Sequence, residues 1–369
     1  MSTTLWQLTS WQLTDRARIL VPPADNPRWV SHAQAPTVLP LATESGAEIW
    51  RVFVGGRDAH NVSRIFAVDV TPPGVPQEGS APPGDAYDPA TLSGVAQDDA
   101  TPYDMRVVDI RPEPVLDVGA PGTFDEHGIG PGTAIRDGGR IFLYYMGLSR
   151  RDDVPYRPGI GLAVSDDGGV TFTRLTDAPI LAPSPHIPLG AALPTVFRTN
   201  GGSGEGGSGE GWGMWFSRFT EWACVEGKPE PVYDLLYAAS PDGIAWTIEP
   251  SATVPLAGGE EGGLVRAAVH RTPAGWLMLF AARGREGFRE DAAARYRLVA
   301  ATSPDGLHFT RGAEPPVLTP PPEPGAWDHD MQAYPQIVTH AGRTLVLYNG
   351  NGFGRDGFGA ALLQPSTDG

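Results

Sequence analysis

Five short stretches of this chain place ionisable side chains just ahead of an apolar strand. Ser31, His32 and Gln34 precede Pro36; Asp125, Glu126 and His127 precede Pro131; His186 precedes Pro194; Glu260, Glu261 and Arg266 precede Ala267; and Trp327, Asp328, His329, Asp330 and Tyr334 precede Pro335. Carboxylates that share a pocket push their pKa values apart, leaving an acid beside a base. That pair is the equipment for making or breaking a C–O bond at an anomeric carbon. Asp125, Glu260, Glu261, His127 and Asp330 are the candidates for proton transfer. His32, Gln34 and Arg266 stand at the same level, and Arg57, Asp58, Asn61 and Arg64 follow where they could reach its rim. A guanidinium there suits bidentate binding of carboxylate or phosphate. Each residue alone is also the pattern of a solvated loop; recurrence at one level is what gathers them into a predicted acidic pocket.

The elements that must position these residues are repeated. Ser165-Asp166-Asp167-Gly168, Ser240-Pro241-Asp242-Gly243 and Ser303-Pro304-Asp305-Gly306 each follow a short apolar run and precede an aromatic residue, Phe172, Trp246 or Phe309. Strand, Asp-Gly turn, strand is a hairpin signature. Two more apolar runs lie upstream of each hairpin, giving four strands per unit and units at about 36–70, 131–175, 194–248, 267–311 and 335–363. Radially repeated four-stranded antiparallel units solve the problem of exposed sheet edges. The prediction is all-β: one domain over residues 1–369, a five-bladed β-propeller with four-stranded antiparallel blades. Its first strands would line a central channel and bring the five stretches to one end. Residues 71–101 and the Gly/Ser/Glu tract at 201–211 read as long loops.

Composition narrows the function classes. A net charge of −16 argues against nucleic acid as a partner, since phosphates reward a basic face. No apolar stretch approaches a membrane span and the N-terminus lacks a signal-peptide pattern, so the expectation is a cytoplasmic protein without a membrane partner. Cys224 is the single cysteine and excludes an internal disulfide. Gly128-Ile129-Gly130-Pro131-Gly132 precedes no helical pattern and is not a dinucleotide fingerprint, so neither flavin nor nicotinamide is expected.

The motifs Ser31-His32-Ala33-Gln34-Ala35-Pro36, Gly56-Arg57-Asp58 with Asn61 and Ser63-Arg64, and Thr123-Phe124-Asp125-Glu126-His127-Gly128 resemble a bacterial family of glycosidase-like five-bladed propellers. Val154-Pro155-Tyr156-Arg157, Trp327-Asp328 with Asp330 and Tyr334-Pro335, and Tyr348-Asn349-Gly350-Asn351-Gly352-Phe353-Gly354 extend the resemblance along nearly the whole chain. The family is distantly similar to arabinanases, xylosidases and invertases, and includes a flavin-independent mutase type that interconverts pyranose and furanose forms of a GDP-linked hexose such as L-galactose. The resemblance implies substrate-binding roles for Arg157, Tyr334 and Asn349 beside His32, Gln34, Arg57, Asp58, Arg64 and Arg266. It also implies a divalent ion, Mg or Mn, held by Asp330 and His127 against a pyrophosphate.

One departure from the hydrolytic relatives stands out. Those enzymes place an Asp in the first blade, whereas this chain has His32 and Gln34 there and no carboxylate between Asp25 and Glu44. The expected function is therefore a sugar-nucleotide pyranose/furanose mutase. A glycoside hydrolase of furanosidase type is the alternative, and a non-catalytic sugar-binding propeller the third reading. The sequence carries no information on oligomeric state.

Overall fold

A computed structural model describes residues 10–23, 25–42, 48–74, 105–199, 211–312 and 315–365. Among them the chain is all-β and its sheets are largely antiparallel, with a helical turn at Asn351–Gly354 and a 3-10 turn at Ala292–Ala294. No helix among the described residues is long and apolar enough to cross a membrane. The loops expected over 71–101 and 201–211 lie outside the described residues, apart from 71–74 and Gly211.

The strands form successive antiparallel runs. The first run is Ser31–Ala42, Glu48–Arg57, Ser63–Val70 and Val107–Ile110; the second is Gly128–Asp137, Arg140–Ser149, Arg157–Ser165 and Thr173–Arg174. A third (Ala191–Thr199, Gly211–Val225, Lys228–Ser240, Thr247–Val254) and a fourth (Glu261–Thr272, Gly275–Gly284, Arg297–Ser303, Thr310–Arg311) are joined into one sheet by a single parallel bridge, Tyr233 to Gly263. The last run comprises Ala333–His340, Arg343–Asn349 and Phe358–Pro365, and is completed by Trp11–Leu20 from the other end of the chain. The short strand Val317–Leu318 pairs parallel to Trp11–Leu20.

These strands read as continuous apolar runs because both faces of the inner ones are buried. Side chains alternate across a strand, so Tyr145 packs with Phe53 and Ile65 of the first run while Tyr144 packs with Trp212 and Phe216 of the third. Trp215 faces the other way, onto Met278 and Phe280 of the fourth run. Leu277 and Leu279 meet Val346 and Tyr348 of the last run, whose Leu345 and Leu347 meet Trp50 and Phe66 of the first. An apolar core therefore lies between each pair of consecutive runs and between the last and the first.

The repeated Ser-x-Asp-Gly turns are built by their own side chains. Asp242 Oδ1 accepts from the amides of Ile244 and Ala245 at 2.8 Å each, and Asp305 repeats this with Leu307 and His308. Gly168, Gly243 and Gly306 have φ between 77° and 79°, which glycine adopts without a Cβ penalty. Although burial raises its pKa, hydrogen bonds from Ser165, Thr171 and the following amides hold the Asp167 carboxyl down to about 2. Asp305 is depressed further, again against burial, with His308 and Ser303 as donors. A carboxyl whose folded value is depressed stabilises the fold above its ordinary pKa and loses that contribution as pH falls. Thermal stability is expected to decline as pH drops from about 4. Replacing Asp167, Asp242 and Asp305 by Asn should flatten that slope in melts across pH; an unchanged slope would place the acid sensitivity elsewhere.

Each run's first strand breaks register near its start. The breaks fall at Gln34/Thr37, Pro131/Thr133, Ala192/Thr195, Val265/Ala268 and Ala333/Gln336. In four of them the bulged residue is left-handed: Ala35, Leu193, Arg266 and Tyr334 have φ between 50° and 54°. A bulge of this kind re-aims the strand. In the second run Gly132 lies against Pro194, where a Cβ would stand 2.6 Å from the proline carbonyl.

Candidate functional site

The bulged strands begin around one cavity of about 400 Å³. Gln34 and Ala35, Gly128 to Gly130, Ala192 and Leu193, Val265, and Tyr334 come to it from the five runs, and the second and third strands add the walls. The walls are basic and phenolic. Arg57, Arg150, Arg283 and Arg289 line the cavity with His127, Tyr156, Tyr233, Tyr296 and Tyr334, and among the described residues lining it there is no Asp or Glu. The acidic pocket expected from the sequence is replaced by a cationic one.

Two of these arginines are held by neutral oxygens. Arg57 donates from Nε and Nη2 to Gln34 Oε1 at 3.0 and 2.8 Å, and from Nη1 to Asn61 Oδ1 at 2.9 Å. Burial lowers its pKa from the ordinary value. Arg283 donates to Tyr233 Oη at 2.9 Å, to the Gly284 carbonyl at 2.7 Å and to the Pro231 carbonyl. Guanidiniums anchored on neutral acceptors keep their charge for an incoming anion. Arg289, nearer the rim, is paired with Glu230 at 2.8 Å. Burial pushes the Tyr156, Tyr334 and Tyr296 hydroxyls up, so they stay protonated at neutral pH.

Of the residues singled out from the sequence, Gln34, Arg57, Asn61, His127 and Tyr334 line the cavity. His127 Nδ1 lies 3.3 Å from the Arg150 amide and 3.4 Å from Glu126. His32 hydrogen-bonds Ser31 and is kept neutral, its pKa pushed down to about 3 by burial and by Arg57 and Arg355. The other candidates are engaged elsewhere. Asp58 takes Arg64 at 2.7 Å and caps its own turn through the His60 and Val62 amides. Arg64 also reaches Asp117, and Arg157 pairs with Asp153 at the surface. Arg266 is fully buried at the centre of the fold, donating to Thr37 Oγ1 at 2.8 Å and the Gly132 carbonyl at 3.0 Å. Asn349 stitches the last run to the first, accepting from the Ala35 amide and donating to the Ala33 and Gly357 carbonyls.

The carboxylates assigned to proton transfer are not among the residues lining this cavity. Glu260 is exposed, and Glu261 makes a two-pronged pair with Arg311 at 2.9 and 3.0 Å. Asp330 is held by Arg295 at 2.8 Å and His329 at 2.7 Å. Asp125 is wholly buried, accepting from Arg174 Nε at 2.8 Å, Tyr145 Oη at 2.9 Å and Thr123 Oγ1 at 2.8 Å. The last run contains the same arrangement: buried Asp328 takes Arg16 at 2.5 Å and Tyr348 at 2.7 Å. In both, the preceding aromatic stacks on that tyrosine, Phe124 on Tyr145 and Trp327 on Tyr348. An Asp–Tyr–Arg clamp is repeated in two runs and ties fourth strand to second strand.

No three or more His, Cys, Asp or Glu side chains are gathered among the described residues so as to hold a metal ion. With Asp330 already paired, the set proposed for Mg or Mn does not fit a divalent site, and no step below passes through a cation. Sequence reasoning assigned no role to Arg150, Tyr233, Arg283, Arg289 or Tyr296. Apart from Arg289, which lies in a turn beyond Gly275–Gly284, their signal was a polar residue at or next to the pocket end of a second or third strand, visible at Ala281-Ala282-Arg283 only once the pairing is known.

No protein-family model matches the chain. Among solved structures it is similar to a glycoside hydrolase (TM-score 0.61, 15% identity, covering 97% of this chain and 93% of that one). A Bacteroides ovatus glycosyl hydrolase gives 0.59 at 14% identity, over 99% and 97%. A Bombyx mori GH32 beta-fructofuranosidase solved in complex with sucrose gives 0.52 at 14%, over 91% and 62%. The fold is thus that of glycoside hydrolase-like structures. Two uncharacterized Mycobacterium tuberculosis proteins, MT1551 from strain CDC 1551 and Rv1502 from strain H37Rv, are each 30% identical over 347 residues, covering 94% of this chain and 97% of theirs. On that extent of shared sequence, the chain belongs to the same family as these two mycobacterial proteins.

Proposed function

We propose that the chain is a five-bladed β-propeller enzyme acting on carbohydrates, and that it interconverts the six- and five-membered ring forms of a nucleotide-linked hexose such as GDP-L-galactose. Five antiparallel runs with a core between each neighbouring pair, including last and first, support the propeller reading. The observation that carries the substrate class is the cavity wall: half-buried Arg57 and buried Arg283 rest on neutral acceptors in a chain of net charge −16. A pyrophosphate supplies the charge they lack. Ring isomerisation needs one proton delivered to the ring oxygen as the C1 bond opens and one removed from the 4-hydroxyl as it closes on C1. His127 and the tyrosine hydroxyls are the lining groups able to exchange protons.

The fold likeness favours a glycoside hydrolase as the second reading. That chemistry uses two carboxyl groups flanking the bond, and the cavity wall has none. Mass balance separates the two. A GDP-hexose should give a product of identical mass with a furanose anomeric signal, and the same mixture from either direction. Stoichiometric free sugar with no isomer at any time point would reject isomerisation in favour of hydrolysis.

A further inference from the structure

Tyr233 and Tyr296 both line the cavity, and their hydroxyls are hydrogen-bonded to each other. Tyr233 Oη also accepts from Arg283 Nε at 2.9 Å, and the Arg283 guanidinium lies 4.9 Å from the centre of the Tyr233 ring. Arg283 is itself fixed by the Gly284 and Pro231 carbonyls. Either hydroxyl can donate in the Tyr233–Tyr296 bond; with Tyr296 as donor, the Tyr233 oxygen accepts from both the fixed guanidinium and the second phenol, and its own proton is free to point into the cavity. Once that proton is given up, the same two donors stabilise the phenolate without reorganising. No carboxylate is among the described residues lining the cavity, and Glu230, behind the wall, is paired with Arg289, so a proton carrier of another type is needed.

We propose that Tyr233 is the catalytic acid and base of this cavity, with Tyr296 and Arg283 positioning it. The inference rests on the ring-isomerising reading above. The Tyr233 proton passes to the ring oxygen as its bond to C1 breaks. The 4-hydroxyl oxygen then bonds C1 and its proton returns to Tyr233, so one C–O bond is lost, one is formed, and the enzyme is restored. His127 binds or orients the sugar in this scheme.

The test compares wild type, Tyr233→Phe and Tyr296→Phe with GDP-L-galactose as substrate and GDP as a binding probe. Tyr233→Phe should lose at least about 100-fold in kcat with GDP affinity and near-ultraviolet circular dichroism unchanged. Tyr296→Phe removes one donor but leaves the acid in place, so kcat should fall about tenfold with the alkaline limb of its pH profile displaced. Should Tyr233→Phe fail to fold, the Tyr296→Phe profile decides. A Tyr233→Phe enzyme with wild-type kcat, or a Tyr296→Phe enzyme with wild-type kcat and pH profile, overturns the proposal while leaving isomerisation standing. A wild-type protein that binds GDP and isomerises no GDP-hexose overturns the isomerase reading and this proposal with it.

Discussion

Asp125→Asn is expected to cost about 3–5 kcal/mol of folding stability, and the part of the variant that remains folded is expected to turn over close to wild type. The carboxylate sits at the junction of Arg174, Tyr145 and Thr123 with no exposed surface. Asparagine can replace one acceptor, yet it leaves the Arg174 charge without its counter-ion in a buried site. Asp328→Asn should behave alike, because Asp328 holds Arg16 and Tyr348 in the same way. Urea unfolding of both variants, beside activity per folded molecule, makes the check. A large activity loss at unchanged stability for Asp125→Asn alone would return that residue to the catalytic set.

Arg57→Gln should weaken GDP binding by roughly 10- to 150-fold, the range of about 1.5–3 kcal/mol for hydrogen bonds to a charged group. Gln34 and Asn61 position the guanidinium by accepting three hydrogen bonds from it through neutral oxygens, so removing it leaves two amides that can pair with each other or with water. The fold should tolerate the change. Calorimetric titration with GDP at two salt concentrations reads both the loss of affinity and the reduced salt dependence. Wild-type affinity in the variant would mean that the diphosphate is bound by other groups, and the substrate class would lose its main support.

The parts of the fold that were legible in the sequence are those encoded locally. Each Ser-x-Asp-Gly turn is complete within a few residues, its Asp accepting from amides two and three positions on. The level of the five stretches was likewise visible, since Ala35-Pro36, Leu193-Pro194 and Tyr334-Pro335 mark bulges that open onto the cavity. What faces that cavity was not legible. Asp125 and Tyr334 stand at similar places ahead of or on a first strand, yet one is clamped inward by partners 20 and 49 residues away while the other lines the wall. Tyr233 and Tyr296 meet across 63 residues. Such pairings depend on sheet register, which a list of polar residues does not carry. The strand Trp11–Leu20 was also missed, although Leu13, Ala17 and Ile19 alternate as a half-buried strand should.

That strand bears on how the molecule is made. Trp11–Leu20 emerges from the ribosome first among the described strands, while its antiparallel partner Phe358–Pro365 emerges last. During synthesis of everything between them its antiparallel partner is missing, and contacts this distant in sequence are slow to form. The docking of one strand against the other therefore waits until the last described strand has emerged. Until it happens, the nascent protein exposes two unpaired β-edges to whatever else the cell is folding.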